Sequence, residues 1–203
     1  ENFPNSKIII FDCFRSTEVF ANGNLKSFGH FKNLIGFKGE IICGNINNKS
    51  DLALLNNYKF DYIFHHAAIS DTRVYDQEIV IKTNINSFYD ILDIAKNDNA
   101  VLVYASSAAT YGSQTSPQTV GKENPENPYG FSKYMMDQTA YRFANENPDM
   151  TIVGLRFFNV YGPKEFYKAK TSSMVLQLGH QILDAKAPRL FKDSYKILRD
   201  FIY

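Results

Sequence analysis

The strongest constraint on the fold is a regular alternation of short apolar runs with longer stretches of helical periodicity. The runs rich in β-branched and aromatic residues, which are typical of buried strands, are 7–12, 40–45, 62–68, 100–107 and 151–159. Between them, 78–96 and 128–147 repeat apolar side chains on one helix face. This order predicts a doubly wound α/β fold with a parallel sheet, in which ligands bind beyond the carboxyl ends of the strands.

The composition excludes several classes of protein. The 203 residues carry 22 Lys and Arg against 21 Asp and Glu, and 44% are hydrophobic, so the chain can bury a core but has no basic surface for nucleic acid. Its apolar runs, such as the one at 8–11, are far shorter than the ~20 residues that cross a membrane. Cys13 and Cys43 form no paired motif, and the four histidines show no metal-ligand spacing. We predict a cytoplasmic protein that binds no metal, membrane or nucleic acid.

Tyr129 and Lys133 form a Tyr-x-x-x-Lys pair, which places both side chains on one face of a helix. An ammonium group near a phenol favours the phenolate, so Lys133 is expected to lower the pKa of Tyr129 from its usual ~10 and to make it a base near neutral pH. With 13 Tyr in the chain, about one such pair is expected by chance. Pro128 favours a helix start at this point. Ser106 and Ser107 end the preceding strand, where they either face that helix or cap the next turn.

Five ordered segments carry a resemblance to a known family. They are HHAAIS at 65–70, ASSAATYG at 105–112, NPYGFSK at 127–133, LRFFNVYGP at 155–163 and RDFIY at 199–203. The chain resembles the extended short-chain dehydrogenase/reductases that act on nucleotide sugars, with their Rossmann-like fold, and within them the epimerases of ADP-activated heptoses. Related dehydratases usually carry Asp-Glu where this chain has Ala109 and Thr110, so the resemblance implies an epimerase.

The resemblance implies a role for each residue of the catalytic group. Tyr129 is the acid/base, Lys133 lowers its pKa and contacts the cofactor ribose, and Ser107 binds the reacting oxygen. Lys168 matches a position that resembles a second acid/base. Two proton-transfer groups suit the reaction, because the keto sugar reorients after it loses hydride and before hydride returns to its other face. Taken without the resemblance, Lys168 is a solvated loop charge.

The resemblance also implies NADP as cofactor, with NAD left open because Asp12 would repel a 2′-phosphate that Arg15 could pair with. The implied cofactor contacts are Asp12, Cys13, Asn45, Ile46, His66, Ala67, Ala68, Asn84, Lys133, Val160 and Lys168. The implied substrate contacts are Ser70, Ser107, Asn159, Lys170, Gln177, Phe191 and Arg199. Two of these have a simpler alternative, since Arg199 could be a surface charge and Asn159 a turn cap.

The expected organisation is a dinucleotide-binding domain at 1–162, followed by the beginning of a smaller substrate-binding lobe at 163–203. No glycine-rich fingerprint precedes Asp12. The resemblance therefore implies that the first βα unit is missing, and, because the family's chains run on beyond RDFIY, that the C-terminal part of the lobe is missing too. The implied function is epimerisation at C6 of an ADP-activated heptose for lipopolysaccharide core synthesis, by a homo-oligomer. The alternatives are another nucleotide-sugar epimerase, of the UDP-hexose 4-epimerase type, and a non-catalytic dinucleotide-binding module.

Overall fold

The computed structural model describes residues 4–203, except for the side chains of Ala169 and Lys170. The chain divides into two compact units, Glu1–Leu155 and Arg156–Tyr203. The first unit contains the alternating strands and helices that the sequence predicts. The assignment of the region after 162 to a substrate-binding lobe stays a prediction.

Five strands carry the predicted alternation. β1 (Ile9–Asp12) pairs in parallel with β2 (Glu40–Cys43), and Asp12 lies opposite Cys43. β3 (Tyr62–His65), β4 (Val101–Ser107) and β5 (Ile152–Phe157) form a second sheet in that order. β3 and β4 are parallel, with His65 opposite Tyr104. Parallel pairing and the alternation with helices confirm the α/β fold class.

The helices follow the predicted pattern with one interruption. The short α1 (Lys49–Leu52) precedes β3. The stretch predicted as one helix at 78–96 is α2 (Gln77–Ile81) and α3 (Ser87–Asp98), joined by one π-helical turn, Lys82–Asn86. α4 (Pro128–Glu146) agrees with the predicted helix at 128–147.

The core of the first unit lies between α3, α4 and β4. Phe88 on α3, Leu102 on β4 and Met136 on α4 have no exposed surface. The ring of Phe88 packs between two rings near the sheet end, 5.6 Å from His65 and 5.0 Å from Tyr104 between centroids. This packing fixes both helices against the carboxyl ends of β3 and β4.

The prediction that every strand is buried is wrong, because β1, β2 and β5 contain no buried residue and β3 exposes one of its faces. Tyr62 and Phe64 are 60% and 64% exposed, whereas His65 is buried. Side chains of a strand alternate between the two faces of the sheet, and within the described residues only one face of β3 is packed against helices. The continuous apolar run therefore does not mean that both faces are covered.

The second unit has its own short elements. β6 (Asn159–Val160) pairs in parallel with β7 (Phe201–Ile202), and α5 (Met174–Leu183) begins after Ser173, whose hydroxyl caps the Leu176 amide. The predicted strand 151–159 therefore ends earlier, at Phe157, and Asn159 begins a new strand instead of closing the old one. The chain changes its pairing partner at this point, because the Asn159 amide donates a hydrogen bond to the carbonyl of Asp200, next to β7. Among the described residues, no helix combines the length and apolarity needed to cross a lipid bilayer.

Candidate active site

The start of α4 is fixed by local sequence. The side chain of Asn127 accepts a 2.8 Å hydrogen bond from the Gly130 amide, and Pro128 occupies the first turn, where its missing N–H costs nothing. A Cβ atom at Gly130 would lie 2.6 Å from the carbonyl oxygen of Ala109. Only glycine therefore lets the first turn of α4 lie against the turn that follows β4, and this approach brings Tyr129 to Ser107.

The hydroxyl of Ser107 is hydrogen-bonded to the phenol of Tyr129. Ser107 Oγ also accepts a 3.1 Å bond from the Ala109 amide, so its own proton is available to the phenol oxygen. Burial raises the pKa of Tyr129 above its usual value, and the Ser107 hydrogen bond opposes that rise. The two residues predicted to share the reacting oxygen are therefore adjacent.

That Lys133 lowers the pKa of Tyr129 stays a prediction, and the structure shows where its ammonium group lies. Lys133 Nζ donates a 2.7 Å bond to the carbonyl oxygen of Ala105 and lies 5.9 Å from the centre of the Tyr129 ring. The ammonium therefore lies beside the ring and is anchored to β4. Burial lowers the pKa of Lys133 itself to about 8, while the Asp137 carboxylate opposes that change.

Asp137 is a residue of this group that the sequence did not indicate. It lies one turn after Lys133 on α4, and the hydroxyl of the buried Tyr104 donates to its Oδ1 at 2.9 Å. The i, i+4 spacing from Lys133 was a signal that could have identified it. Tyr104 thereby links β4 to the carboxylate that supports the buried ammonium.

Two buried polar atoms close to these residues lack hydrogen-bond partners in the described structure, namely Ser106 Oγ and His65 Nε2. Both residues lie at the carboxyl ends of their strands, β4 and β3. Burial lowers the pKa of His65 to about 3, so its ring is neutral at physiological pH. Buried polar atoms are normally paired, so both are suited to contact a polar ligand.

The predicted cofactor residues of the first unit follow the ends of β1, β2 and β3. Asp12 closes β1, and its Oδ1 accepts a 2.6 Å bond from the Phe14 amide. Ile46 is buried in the core. Cys13 and Asn45 are exposed, and Ala67 and Ala68 are half-buried. His66 and Ser70 follow β3 and are exposed. Burial and the charge of Lys133 lower the pKa of His66.

Asn84 differs from its predicted role as a cofactor contact. It has no exposed surface, and its side-chain amide bonds Ile69 and Ser132. Its three hydrogen bonds are therefore made inside the protein. The sequence did not single out Ser132, although a small polar residue on the buried face of a helix, between Tyr129 and Lys133, was a signal.

The predicted residues of the second unit are spread over several of its elements. Asn159 Nδ2 donates to the carbonyl of Asp200 at 2.9 Å, which ties β6 to the chain before β7. Gln177 Nε2 donates to the carbonyl of Ser172 at 2.7 Å. The exposed members of the group are Val160, Lys168, Phe191 and Arg199. The side chain of Lys170 lies outside the described residues.

An open apolar depression lies elsewhere on the first unit, and none of the predicted site residues lines it. Its lining consists of Phe14, Phe31, Leu34, Ile35 and Ile41. Within the described part of the chain, no three His, Cys, Asp or Glu side chains come together as a metal site. The chemistry of the first unit is therefore concentrated at the ends of β3 and β4 and the start of α4.

Comparisons with known proteins agree with this arrangement. The chain is 36% identical over 191 residues to an ADP-L-glycero-D-manno-heptose-6-epimerase of Brachyspira hyodysenteriae (strain ATCC 49526 / WA1). The aligned region covers 92% of this chain and 60% of that protein. Its structure matches a crystal structure of the Helicobacter pylori ADP-L-glycero-D-manno-heptose-6-epimerase with a TM-score of 0.90 and 50% identity, over 100% of this chain and 62% of that one.

A more distant structure shares the fold. A UDP-N-acetylglucosamine 4-epimerase from Methanobrevibacter ruminantium M1 is 24% identical, with a TM-score of 0.80 over 97% of this chain and 61% of that one. The chain thus spans about 60% of the length of the relatives it matches. A sequence model of the NAD dependent epimerase/dehydratase family matches residues 14–203. With the Tyr129–Ser107 pair at the end of β4, this match over most of the chain shows that it belongs to the NAD dependent epimerase/dehydratase family.

Proposed function

We propose that the protein is an epimerase that inverts C6 of the heptose in an ADP-activated heptose, with a bound nicotinamide dinucleotide. The observation that carries the proposal is the hydrogen bond between Ser107 and Tyr129 beside the buried Lys133. The 50% identity to the heptose epimerase of Helicobacter pylori supports this substrate over other nucleotide sugars.

The residues present fit a nicotinamide dinucleotide. Ser106 Oγ and His65 Nε2 are buried polar atoms without partners at the strand ends where this fold family places its cofactor. Lys133 would hold the nicotinamide ribose, and Asp12 and Asn45 the adenosine end. When bound, the group supplies a hydride acceptor that can return the hydride to either face of the sugar carbon.

Tyr129 and Ser107 handle the proton and the oxygen. As C6 loses its hydrogen as hydride, the hydroxyl proton moves to Tyr129 Oη in the fraction of molecules where that oxygen is ionised. Ser107 donates to the reacting oxygen and holds it there. When the hydride returns to the opposite face, a proton must reach the oxygen in a second orientation. We assign that second proton transfer to Lys168, which is exposed on the second unit. Tyr129 then gives up the proton it accepted, and Lys168 regains the one it donated, by exchange with water.

The experiment that tests this proposal follows epimer formation by NMR. The purified protein is incubated with ADP-glycero-manno-heptose of one C6 configuration, and we expect the signals of the other epimer to appear. A Tyr129→Phe variant should bind cofactor with unchanged affinity and lose at least ~100-fold in turnover. Unchanged heptose signals with the parent protein contradict the proposal.

Two alternatives are decided by further arms of the same experiment. Conversion of a UDP-hexose, but not of the ADP-heptose, would assign the protein to the 4-epimerases. Cofactor binding without turnover of either sugar would make it a non-catalytic dinucleotide-binding module. We propose NADP over NAD because Arg15 follows Asp12, and titrating both cofactors decides between them. A role in lipopolysaccharide core synthesis in the cytoplasm, as a homo-oligomer, belongs to the same proposal.

A further inference from the structure

The carboxylate of Glu165 closes the segment of the second unit that carries Lys168. Glu165 Oε2 accepts a 2.8 Å hydrogen bond from the Ser173 amide. Its Oε1 accepts from the Ser173 hydroxyl at 2.7 Å and from the Gly162 amide at 3.4 Å. Gly162 and Ser173 lie on either side of one short 3-10 helix. A single side chain therefore joins both ends of the segment 162–173, and Lys168 lies near its middle.

The closed segment is also anchored to α5. The Ser173 hydroxyl, which donates to Glu165, accepts a 3.1 Å hydrogen bond from the Leu176 amide and so caps the helix. A negative charge near a helix N-terminus is stabilised by the main-chain N–H groups there. The ring of Phe166 lies 5.6 Å from the ring of His180 on the same helix, between centroids. A ten-residue helix therefore supports the segment at two points.

Two interactions act on Lys168 itself. The Thr171 hydroxyl donates a 2.7 Å hydrogen bond to the Lys168 carbonyl and so fixes the main chain at this residue. The charge of Lys168 also acts on the Glu165 carboxylate. Burial alone would raise the pKa of Glu165, but hydrogen bonds from Ser173 and Gly162, together with the Lys168 charge, hold it below its usual value. The carboxylate is therefore ionised at neutral pH and accepts all three of its hydrogen bonds.

We infer that Glu165 is a positioning residue, which closes the segment 162–173 and so holds Lys168 in place for the second proton transfer. The inference rests on the proposed function, because the position of Lys168 affects the rate only if Lys168 transfers a proton. A small displacement of a proton-transfer group lowers the rate without weakening substrate binding. The effect of Glu165 should therefore be found in kcat and should require Lys168.

Glu165→Gln keeps the size of the side chain and breaks this arrangement. A carboxamide has one acceptor oxygen, and in either orientation its NH2 group faces a main-chain N–H, that of Gly162 or that of Ser173. We expect kcat to fall about 10- to 100-fold, with KM within about twofold of the parent value. Asp184→Asn is the matched control, because it removes a carboxylate at the other end of α5 that accepts a 3.0 Å bond from Lys186. This variant should keep kcat.

A double-mutant cycle separates positioning from a merely structural role. Because Glu165 is inferred to act through Lys168, Glu165→Gln should slow the parent protein but should not slow Lys168→Met any further. A structural role would slow both proteins by the same factor. Equal losses in the two backgrounds, or an unchanged kcat in Glu165→Gln alone, overturn the inference. If Glu165→Gln does not fold, Glu165→Asp takes its place, because it keeps the charge and withdraws the carboxylate by one methylene group.

An NMR measurement distinguishes failure of this inference from failure of the proposed function. In protein labelled with 15N at lysine, the Lys168 amide resonance is assigned by its loss in Lys168→Met. We expect its heteronuclear NOE to fall in Glu165→Gln, because the main chain gains motion on the ps–ns timescale, and to stay unchanged in Asp184→Asn. This result does not depend on whether the protein epimerises any sugar. An unchanged NOE in Glu165→Gln overturns the inference, even if the epimerase proposal holds.

Discussion

Lys133 Nζ donates a 2.7 Å hydrogen bond to the carbonyl oxygen of Ala105, twenty-eight positions earlier in the chain. The bond anchors the ammonium group to β4, two residues before Ser107. Burial has already lowered the pKa of Lys133 to about 8, and the Asp137 carboxylate works against that change. The charge of this lysine therefore depends on a neighbour one helical turn away.

Replacement of Asp137 should make the Lys133 charge easier to lose. Because the carboxylate raises the pKa of Lys133, Asp137→Asn should lower that pKa further below about 8. We expect the loss of kcat/KM that accompanies deprotonation of Lys133 to move to lower pH, as measured by pH–rate profiles. The exposed Asp93→Asn on α3 is the control and should leave the profile unchanged. An unaltered profile in Asp137→Asn contradicts this assignment.

Replacement of Ser107 should change the titration of Tyr129. The Ser107 hydrogen bond lowers the pKa of Tyr129 against the effect of burial, so its removal should raise that pKa further. A smaller fraction of Tyr129 is then ionised at neutral pH. We expect Ser107→Ala to lose about 10- to 100-fold in kcat near pH 7 and to recover part of the loss at higher pH. A loss that is constant over the whole pH range would mean that Ser107 acts only on the substrate.

The close approach at Gly130 should make an added methyl group costly. In Gly130→Ala the Cβ would meet a main-chain oxygen at 2.6 Å, so the first turn of α4 must move. We expect a loss of about 1–3 kcal/mol in the free energy of unfolding and a lower kcat. Gly179→Ala in α5 is the control, because nothing lies within 4 Å of its Cβ and the helix should gain up to ~1 kcal/mol. A neutral Gly130→Ala variant would contradict this geometry.

The buried His65 should make stability depend on acid. Its pKa is about 3 in the folded protein and close to 6.5 in the unfolded chain, so only the unfolded chain binds a proton between those values. The free energy of unfolding is therefore unaffected by His65 protonation above about pH 6.5, and it decreases as the pH falls from there towards 3. The slope approaches about 1.4 kcal/mol per pH unit. Urea unfolding of the parent and of His65→Gln from pH 7 to pH 4 measures it, and parallel curves would contradict the prediction.

Much of the fold could be predicted from the sequence, because it follows from local periodicity. The runs 100–107 and 128–147 gave the bounds of β4 and α4 to within one residue. The π-helical turn at Lys82–Asn86 could not be predicted in this way, because Ile81, Ile85 and Phe88, in and around it, keep the spacing of a continuous helix. The exposed face of β3 was missed for a related reason, since an apolar run does not say which of its faces is covered.

The candidate site shows the same limit. The Tyr129, Lys133 and Ser107 group was chosen from the resemblance that the five ordered segments carry, and the structure brings Tyr129 together with Ser107. The position of the Lys133 ammonium group could not be predicted from the sequence, because it depends on a hydrogen bond to a carbonyl of β4, far away in the chain. Ser132 and Asp137 were missed because each is distinguished by a hydrogen bond from a distant part of the chain, Asn84 and Tyr104 respectively, and such contacts are visible only in the folded structure.

The π-helical turn at Lys82–Asn86 also has a meaning for changes in chain length. Such a turn holds one more residue than a regular helical turn, so it corresponds to a single inserted residue within an otherwise ordinary helix. Removal of one residue there would let α2 and α3 run on without interruption while rotating Asn84 away from Ile69 and Ser132. A deletion that regularises the backbone would therefore break the hydrogen bonds that join Asn84 to the loop after β3 and to Ser132 on α4.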